Sequence, residues 1–217
     1  MPRTLFAHVE TWVFDLDNTL YPVEARLFDQ IEARMTAFMM RTLGMPADEA
    51  SRLRQRYLQT HGTTLAGLMR ENRVDPVAYL ADVHDIDLTG VSPSEVLRDA
   101  IGRLPGRKIV YTNGSREHAR RVTAAVGLEG AFDRLYGVED ADYLPKPEAA
   151  AFGAIFALDG LDVRRAAMFE DDHRNLRVPH GLGMRTVLVG PLADPDPGHP
   201  HVHHRTGDLA DFLGQLA

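Results

Sequence analysis

Residues 13–20 read Val-Phe-Asp-Leu-Asp-Asn-Thr-Leu, which sets two carboxylates, Asp15 and Asp17, two positions apart at the end of an apolar run, with Thr19 directly behind them. In an extended strand, residues two apart point to the same side, so both acids are expected to leave the sheet together. Two carboxylates that close need a cation between them or a proton on one of them. Either state suits phosphoryl transfer; the plainer alternative is an Asx-rich strand end whose acids only satisfy turn amides. Three more polar clusters follow. Thr112-Asn113-Gly114-Ser115 offers a hydroxyl and then a turn of approachable amides opening a helix, suited to hold phosphate oxygens, though strand–turn–helix junctions also use these residues as punctuation. Lys146-Pro147 puts an ammonium at a helix start, where the helix dipole disfavours a cation, so its placement asks for a nearby anion, although in isolation an exposed Lys is the plainer reading. Glu170-Asp171-Asp172 stacks three acids directly after an apolar run, a costly concentration of like charge unless a hard cation is bound.

These residues need a frame that brings them together. Strand-like runs recur at 11–16, 108–112, 134–138, 166–169 and 185–189, and helical patterns lie between the later ones. One spans 116–126, with Ser115 as N-cap and Gly127 just past its end; another spans 147–158, with Pro147 at the first helical position. Strands alternating with helices imply an α/β fold, a three-layer Rossmann-like parallel sheet with function at the carboxyl ends of the strands. Residues 21–103 break that alternation with long amphipathic segments and no convincing strand. They read as an all-helical insertion, a cap over the sheet's carboxyl edge, leaving 1–20 and 104–217 as the core. The stripe Phe28, Ile31, Met35 and Phe38 is read as packing rather than a ligand surface. Residues 194–205, rich in Pro, Gly, Asp and His, read as a surface loop before a short final helix; His199, His201, His203 and His204 are taken as part of a solvated loop in preference to a metal site.

Bulk properties narrow the partners. With 217 residues, 44% hydrophobic and 25% charged, the chain is ordinary for a soluble globular protein with a real core. A net charge of −7 offers no field to nucleic acid, and no apolar run is long enough to span a bilayer or to resemble a signal peptide, so a cytoplasmic protein is expected. The absence of Cys removes thiolate catalysis and disulfides and leaves any metal to oxygen or His ligands.

Taken in order, Asp-x-Asp-x-Thr, Thr-Asn-Gly, Lys-Pro and Asp-Asp resemble the four motifs of the haloacid dehalogenase superfamily, matched by Asp15, Asp17 and Thr19, by Thr112, by Lys146, and by Asp171 and Asp172. The wider string Phe-Asp-Leu-Asp-Asn-Thr-Leu-Tyr-Pro at 14–22, with Leu-Arg-Gln-Arg-Tyr at 53–57, Tyr-Thr-Asn-Gly at 111–114 and Lys-Pro-Glu at 146–148, is most similar to its pyrimidine 5′-nucleotidase branch. The resemblance implies a hydrolase of phosphomonoesters, with Asp15 as nucleophile and Asp17 as acid and then base. It implies Mg2+ held by Asp15, the Asp17 carbonyl, Asp172 and the adjacent Asp171. Thr112 and the Asn113 amide, with Thr19 and Gly114 alongside, would bind phosphate, and Lys146 would neutralise developing charge. A nucleoside monophosphate is the expected partner, with phosphoglycolate or a sugar phosphate as the alternative.

Other uses of the same kit remain. A haloacid dehalogenase also attacks with an Asp but expels a halide, which needs neither protonation nor Mg2+, and the second acid, Asp17, argues against it. A phosphoacceptor signalling module shares Asp, Thr and Lys but carries its acceptor in mid-chain. Pro179 departs from the family pattern, because it forbids a regular helix interior after the acidic motif, so that helix is expected to be short or late. Asn175 reads equally as a buttress of the metal acids or as a cap, and Glu170 equally as a structural or a metal residue. Cap residues considered for contact with a base are His61, Thr63, Thr64 and Arg70, with an exposed helix turn as the other role for each.

Overall fold

The structure, a computed structural model, describes residues 2–191 and 198–216. Six strands form one parallel sheet: β1 (Thr11–Phe14), β2 (Arg107–Tyr111), β3 (Arg134–Tyr136), β4 (Ala166–Glu170), β5 (Arg185–Val189) and β6 (His204–Thr206), in the order β3-β2-β1-β4-β5-β6. In register, Phe14 pairs with Val110 on one side and with Phe169 on the other. The chain therefore leaves β1, β2 and β4 at one edge of the sheet, carrying Asp15, Thr112 and the 170–172 acids with it.

Both faces are dry. Val13, Ile109 and Met168 pack on one side with Phe152 and Ile155 of α8 (Ala149–Asp159), while Trp12, Phe14, Val110 and Phe169 pack on the other. The second face is covered in part by Val122 of α7 (Arg116–Ala125) and by Phe212 and Leu213 of α10 (Leu209–Gly214). Continuous burial along β1 and β4 is the signature of parallel strands covered twice. A five-residue helix, α1 (Pro2–Phe6), precedes the sheet and sends Phe6 against Trp12.

Between β1 and β2 the chain is helical: α2 (Leu27–Leu43), α3 (Ala47–His61), α4 (Thr64–Asn72), α5 (Pro76–Val83) and α6 (Glu95–Arg103). Helices α2 to α5 pack on one another, with Phe38 of α2 edge-on to Tyr79 of α5. Tyr57 of α3 lies so close over Gly67 of α4 that a methyl group there would strike its ring. By contrast α6 packs against α10 and so belongs to the layer that covers the sheet. Of the stripe read as packing, Ile31 and Phe38 are buried and Met35 packs against the core, but Phe28 is among the exposed large side chains. Among the described residues no helix is long and apolar enough to cross a membrane.

Several local expectations need correcting. Helix α8 starts at Ala149, not at Pro147, whose peptide bond to Lys146 is cis and lies in the turn before the helix. Residues 194–197 lie outside the described residues, but His204–Thr206 is not loop: it adds β6 to the sheet edge beside β5. After the acidic motif comes a single 3-10 turn, His173–Leu176, and then α9 (Arg177–Gly181), a helix as short as Pro179 requires.

Candidate active site

Strand β1 ends at Phe14, so the alternation that would send Asp15 and Asp17 out on one face stops before either of them. Asn18 then takes a left-handed φ of 58°, a conformation Asn tolerates, and the two acids settle in separate niches.

Asp15 is buried. Its Oδ1 accepts from Lys146 Nζ at 2.6 Å and its Oδ2 accepts from the Thr19 hydroxyl at 3.3 Å. The same ammonium donates to Glu170 Oε2 at 2.7 Å and to the Tyr111 carbonyl at 3.1 Å. Lys146, 1% exposed, thus bridges the ends of β1, β2 and β4. Its backbone is held as firmly, because the Asn113 side chain accepts from the Lys146 N–H at 2.7 Å and donates to the Lys146 carbonyl at 3.1 Å. The anion that the sequence position asked for is therefore a pair of carboxylates. Burial and the nearby Glu170 charge push Asp15 up to about 7, against the pull of Lys146. Burial likewise raises Glu170, and burial together with the Asp15 charge raises Asp171 to about 6. Lys146 is held above the ordinary lysine range, since the two carboxylates outweigh its burial.

Carboxylate oxygens of Asp15, Glu170 and Asp171 lie within 4.8 Å of one another. Three carboxylates against one ammonium leave two net negative charges, and the donor set is all oxygen, which fits a hard divalent ion. Asp171 also accepts from the Asn18 amide at 3.4 Å. Asp172 is not part of this group: its carboxylate is engaged by the Arg174 guanidinium and by the Arg174 N–H, capping the 3-10 turn. Glu170 takes the place in the cluster that the sequence reading gave to Asp172. Asn175 is buried, and its N–H donates to the Asp172 carbonyl.

Asp17 occupies the second niche. Its Oδ1 accepts from Tyr21 OH at 2.7 Å and is 2.9 Å from Nε2 of His118, a fully buried side chain in the first turn of α7. Burial opposes its ionisation, but the His118 imidazole and the Tyr21 hydroxyl outweigh that and hold the carboxyl down at about 2. The His118 ring stacks on His84 at 4.3 Å between centroids, and His84 Nδ1 lies 3.0 Å from the Ser115 hydroxyl. Ser115 Oγ also caps α7 by accepting the His118 N–H, as its position in the sequence predicts. Space at Gly114 is tight: a Cβ there would meet His118 at 3.1 Å and the Thr112 hydroxyl at 3.3 Å. Thr112 is buried, and its Oγ1 accepts the Gly114 N–H at 2.9 Å.

Tyr21, His84 and His118 were not singled out from the sequence. The usable signal was position: Tyr21 stands four residues after Asp17, and His118 stands three after the N-cap of the helix whose start faces the site. His84 gives no local sign, because it comes from the end of α5.

A cleft of about 1230 Å³ opens beside the acids, with Asn18, Tyr21, Asp171, Asp172 and His173 in its wall. Asp15, Asp17, Thr112 and Lys146 do not line it. From the helical insertion it is reached by residues 21–25, 90–92, Ser94 and Leu97, and not by His61, Thr63, Thr64 or Arg70. His61 is 2.8 Å from Glu71, Thr63 caps α4 and Thr64 is buried, so three of those four have structural work.

Known proteins agree with this architecture. Phosphate metabolism protein 8 of Saccharomyces cerevisiae is 26% identical over 195 residues, which cover 82% of this chain and 61% of that protein, so the chain spans less than two thirds of its relative's length. The magnesium-bound putative HAD-hydrolase YfnB of Bacillus subtilis superposes with a TM-score of 0.60 at 17% identity, over 96% of this chain and 98% of that one. A HAD phosphatase from Thermococcus onnurineus gives 0.62 at 17% identity over 96% and 98%. A 2-haloacid dehalogenase from Pseudomonas syringae gives 0.60 at 18% identity over 96% and 100%. At such identities these likenesses speak for the fold, which phosphatase and dehalogenase share. Residues 9–179 match the family model of the haloacid dehalogenase-like hydrolases, and the chain belongs to that family.

Proposed function

We propose that the chain is a Mg2+-dependent phosphomonoester hydrolase that works through an aspartyl-phosphate on Asp15, with a pyrimidine nucleoside 5′-monophosphate as substrate. The observation that carries this reading is the second niche: an acid two residues after the nucleophile, held on one oxygen by Tyr21 and His118. Expulsion of a halide needs no such acid, whereas a departing ribose oxygen must gain a proton.

In the first step an oxygen of Asp15 attacks phosphorus, the bond from phosphorus to the ribose oxygen breaks, and that oxygen takes a proton delivered through Asp17. Both hydrogen bonds to Asp17 fall on Oδ1, so Oδ2 is the oxygen suited to face the leaving group. In the free chain His118 and Tyr21 hold the carboxyl ionised, and a phosphoryl group bound beside it favours the protonated form. In the second step Asp17 takes a proton from water, the water oxygen attacks phosphorus, and the acyl-phosphate bond breaks to release phosphate and restore Asp15. Lys146 neutralises charge on the nucleophile and the phosphoryl oxygens, and Thr112 with the Asn113 amide binds a nonbridging oxygen. Asp15, Asp171 and Glu170, with the Asp17 carbonyl, would hold Mg2+, which when bound supplies charge that keeps Asp15 ionised and screens it from an anionic substrate.

The choice of pyrimidine rests on the string at 14–22 and its companions; the name of the yeast relative supports phosphate over halide. A panel of UMP, CMP, AMP, phosphoglycolate, hexose phosphates and chloroacetate decides the matter. UMP and CMP are expected to lead with chloroacetate untouched, and a lead by purine or sugar phosphates rejects the proposed substrate.

A further inference from the structure

Among the described residues and outside the acid cluster, three imidazoles come close enough to share a metal ion, and two of them, His173 and His199, line the same cleft. His173 opens the 3-10 turn after Asp172, and His199 and His201 lie in the segment that leads into β6. One ring nitrogen from each falls within 4.8 Å of the others. His173 Nδ1 and His201 Nε2 are 3.2 Å apart, close enough that two lone pairs repel unless a proton or a cation lies between them. His173 and His199 stack with centroids 3.7 Å apart, and His199 and His201 have theirs at 5.2 Å.

The cluster is anchored. The His201 carbonyl accepts from the Thr186 hydroxyl of β5 at 2.8 Å, and His201 is 9% exposed. His173 is fixed by the turn that Asp172 caps, while the Asp172 carboxylate is taken up by Arg174 and does not compete for the imidazoles. A ligated ion lies in the plane of each ring, so the stacked rings of His173 and His199 cannot serve one ion as they stand. For three nitrogens to converge on one ion, the half-buried His199 ring must turn out of its stack into another rotamer.

We propose that His173, His199 and His201 bind a late first-row divalent cation of the Zn2+ class, at a site separate from the carboxylate cluster. Three nitrogen donors favour Zn2+, Ni2+ or Cu2+ over Mg2+, whereas the all-oxygen cluster favours the reverse, so the two sites sort their ions by ligand type. Three protein ligands leave a coordination position open toward the cleft, where water or a ligand oxygen binds. An ion there adds positive charge one residue away from Asp172, at the mouth of an otherwise acidic cleft.

The test uses the untagged full chain, equilibrated with micromolar Zn2+ in excess Mg2+, with bound zinc counted by elemental mass spectrometry. About one zinc per chain is expected. His199→Ala and His201→Ala are each expected to weaken zinc binding at least about tenfold, and Asp171→Asn, in the acid cluster, to leave it unchanged. Because His201 is buried, His199→Ala carries the test if His201→Ala fails to fold, with melting curves in the absence of zinc as the control. With Co2+ in place of zinc, the strong visible bands of a four- or five-coordinate nitrogen site are expected. Zinc uptake well below one per chain, or equal uptake by wild type and the His199→Ala variant, overturns the proposal.

Discussion

His118 Nε2 and Asp17 Oδ1 lie 2.9 Å apart although 101 residues separate them in the chain, and this contact ties the segment after β1 to the helix that opens after β2. His118 is in turn stacked on His84, whose carbonyl accepts from Arg121 of the same helix at 2.7 Å. The orientation of the proposed acid and base is therefore set jointly by the core and by the segment that follows α5.

If His118 positions Asp17, His118→Asn should lower kcat by roughly 10- to 100-fold with little change in KM. The pH dependence of kcat should shift as well, since the variant removes the imidazole that holds the Asp17 carboxyl down. A loss confined to KM, or a fall in activity that only follows a fall in melting temperature, would assign His118 a structural role.

Lys146→Met should cost on the order of 2–4 kcal/mol in kcat/KM, the scale of one preorganised donor. It should also cost stability, because it strands the Asp15 and Glu170 carboxyls in a buried site; the loss of one partner from a buried ion pair is about 3–5 kcal/mol. Adding Glu170→Gln is expected to restore part of the melting temperature and none of the activity. Comparable recovery of both would show that Lys146 serves the fold alone.

The raised carboxyls predict a pH effect whose sign is fixed. Asp171 has its pKa lifted from 3.8 to about 6 in the folded chain, so between those values the folded state keeps a proton that the unfolded state has released. Without metal, this group contributes stability that is full below about pH 4 and is lost as pH rises through about 6, by up to about 1.4 kcal/mol per pH unit. Mg2+ binds the ionised form, so the rise in melting temperature that it produces should be small near pH 5 and grow toward pH 7. Asp171→Asn should largely abolish that increase. A Mg2+ effect independent of pH, or one that survives in the variant, would remove Asp171 from the metal site.

Much of this was legible in the sequence, and the failures have physical causes. Alternating apolar runs and helical patterns identify five of the six parallel strands: β1 and β4 are buried along their whole length, β2 and β5 along most of it, and the edge strand β3 still ends on Leu135-Tyr136. Strand β6 escapes because His204-Arg205-Thr206 is a polar edge of three residues whose pairing, not its composition, makes it a strand. The ordered motifs bring together Asp15, Thr19, Thr112, Lys146 and Asp171, but which of three consecutive acids joins Asp15 depends on the path after β4. There Glu170 turns in toward Lys146 and Asp172 turns out toward Arg174. The partners of Asp17 are tertiary contacts, and no local pattern announces them.

The central claim is that Asp15 becomes covalently phosphorylated during turnover. Acid quenching of the enzyme while it hydrolyses UMP in the presence of Mg2+, followed by peptide mass mapping, tests it directly. The account predicts a phosphoryl increment on the peptide containing Asp15, labile to hydroxylamine, and absent from the Asp15→Asn variant, which should fold and be inactive. Full turnover by Asp15→Asn, or a phosphoryl group found only elsewhere in the chain, would contradict it.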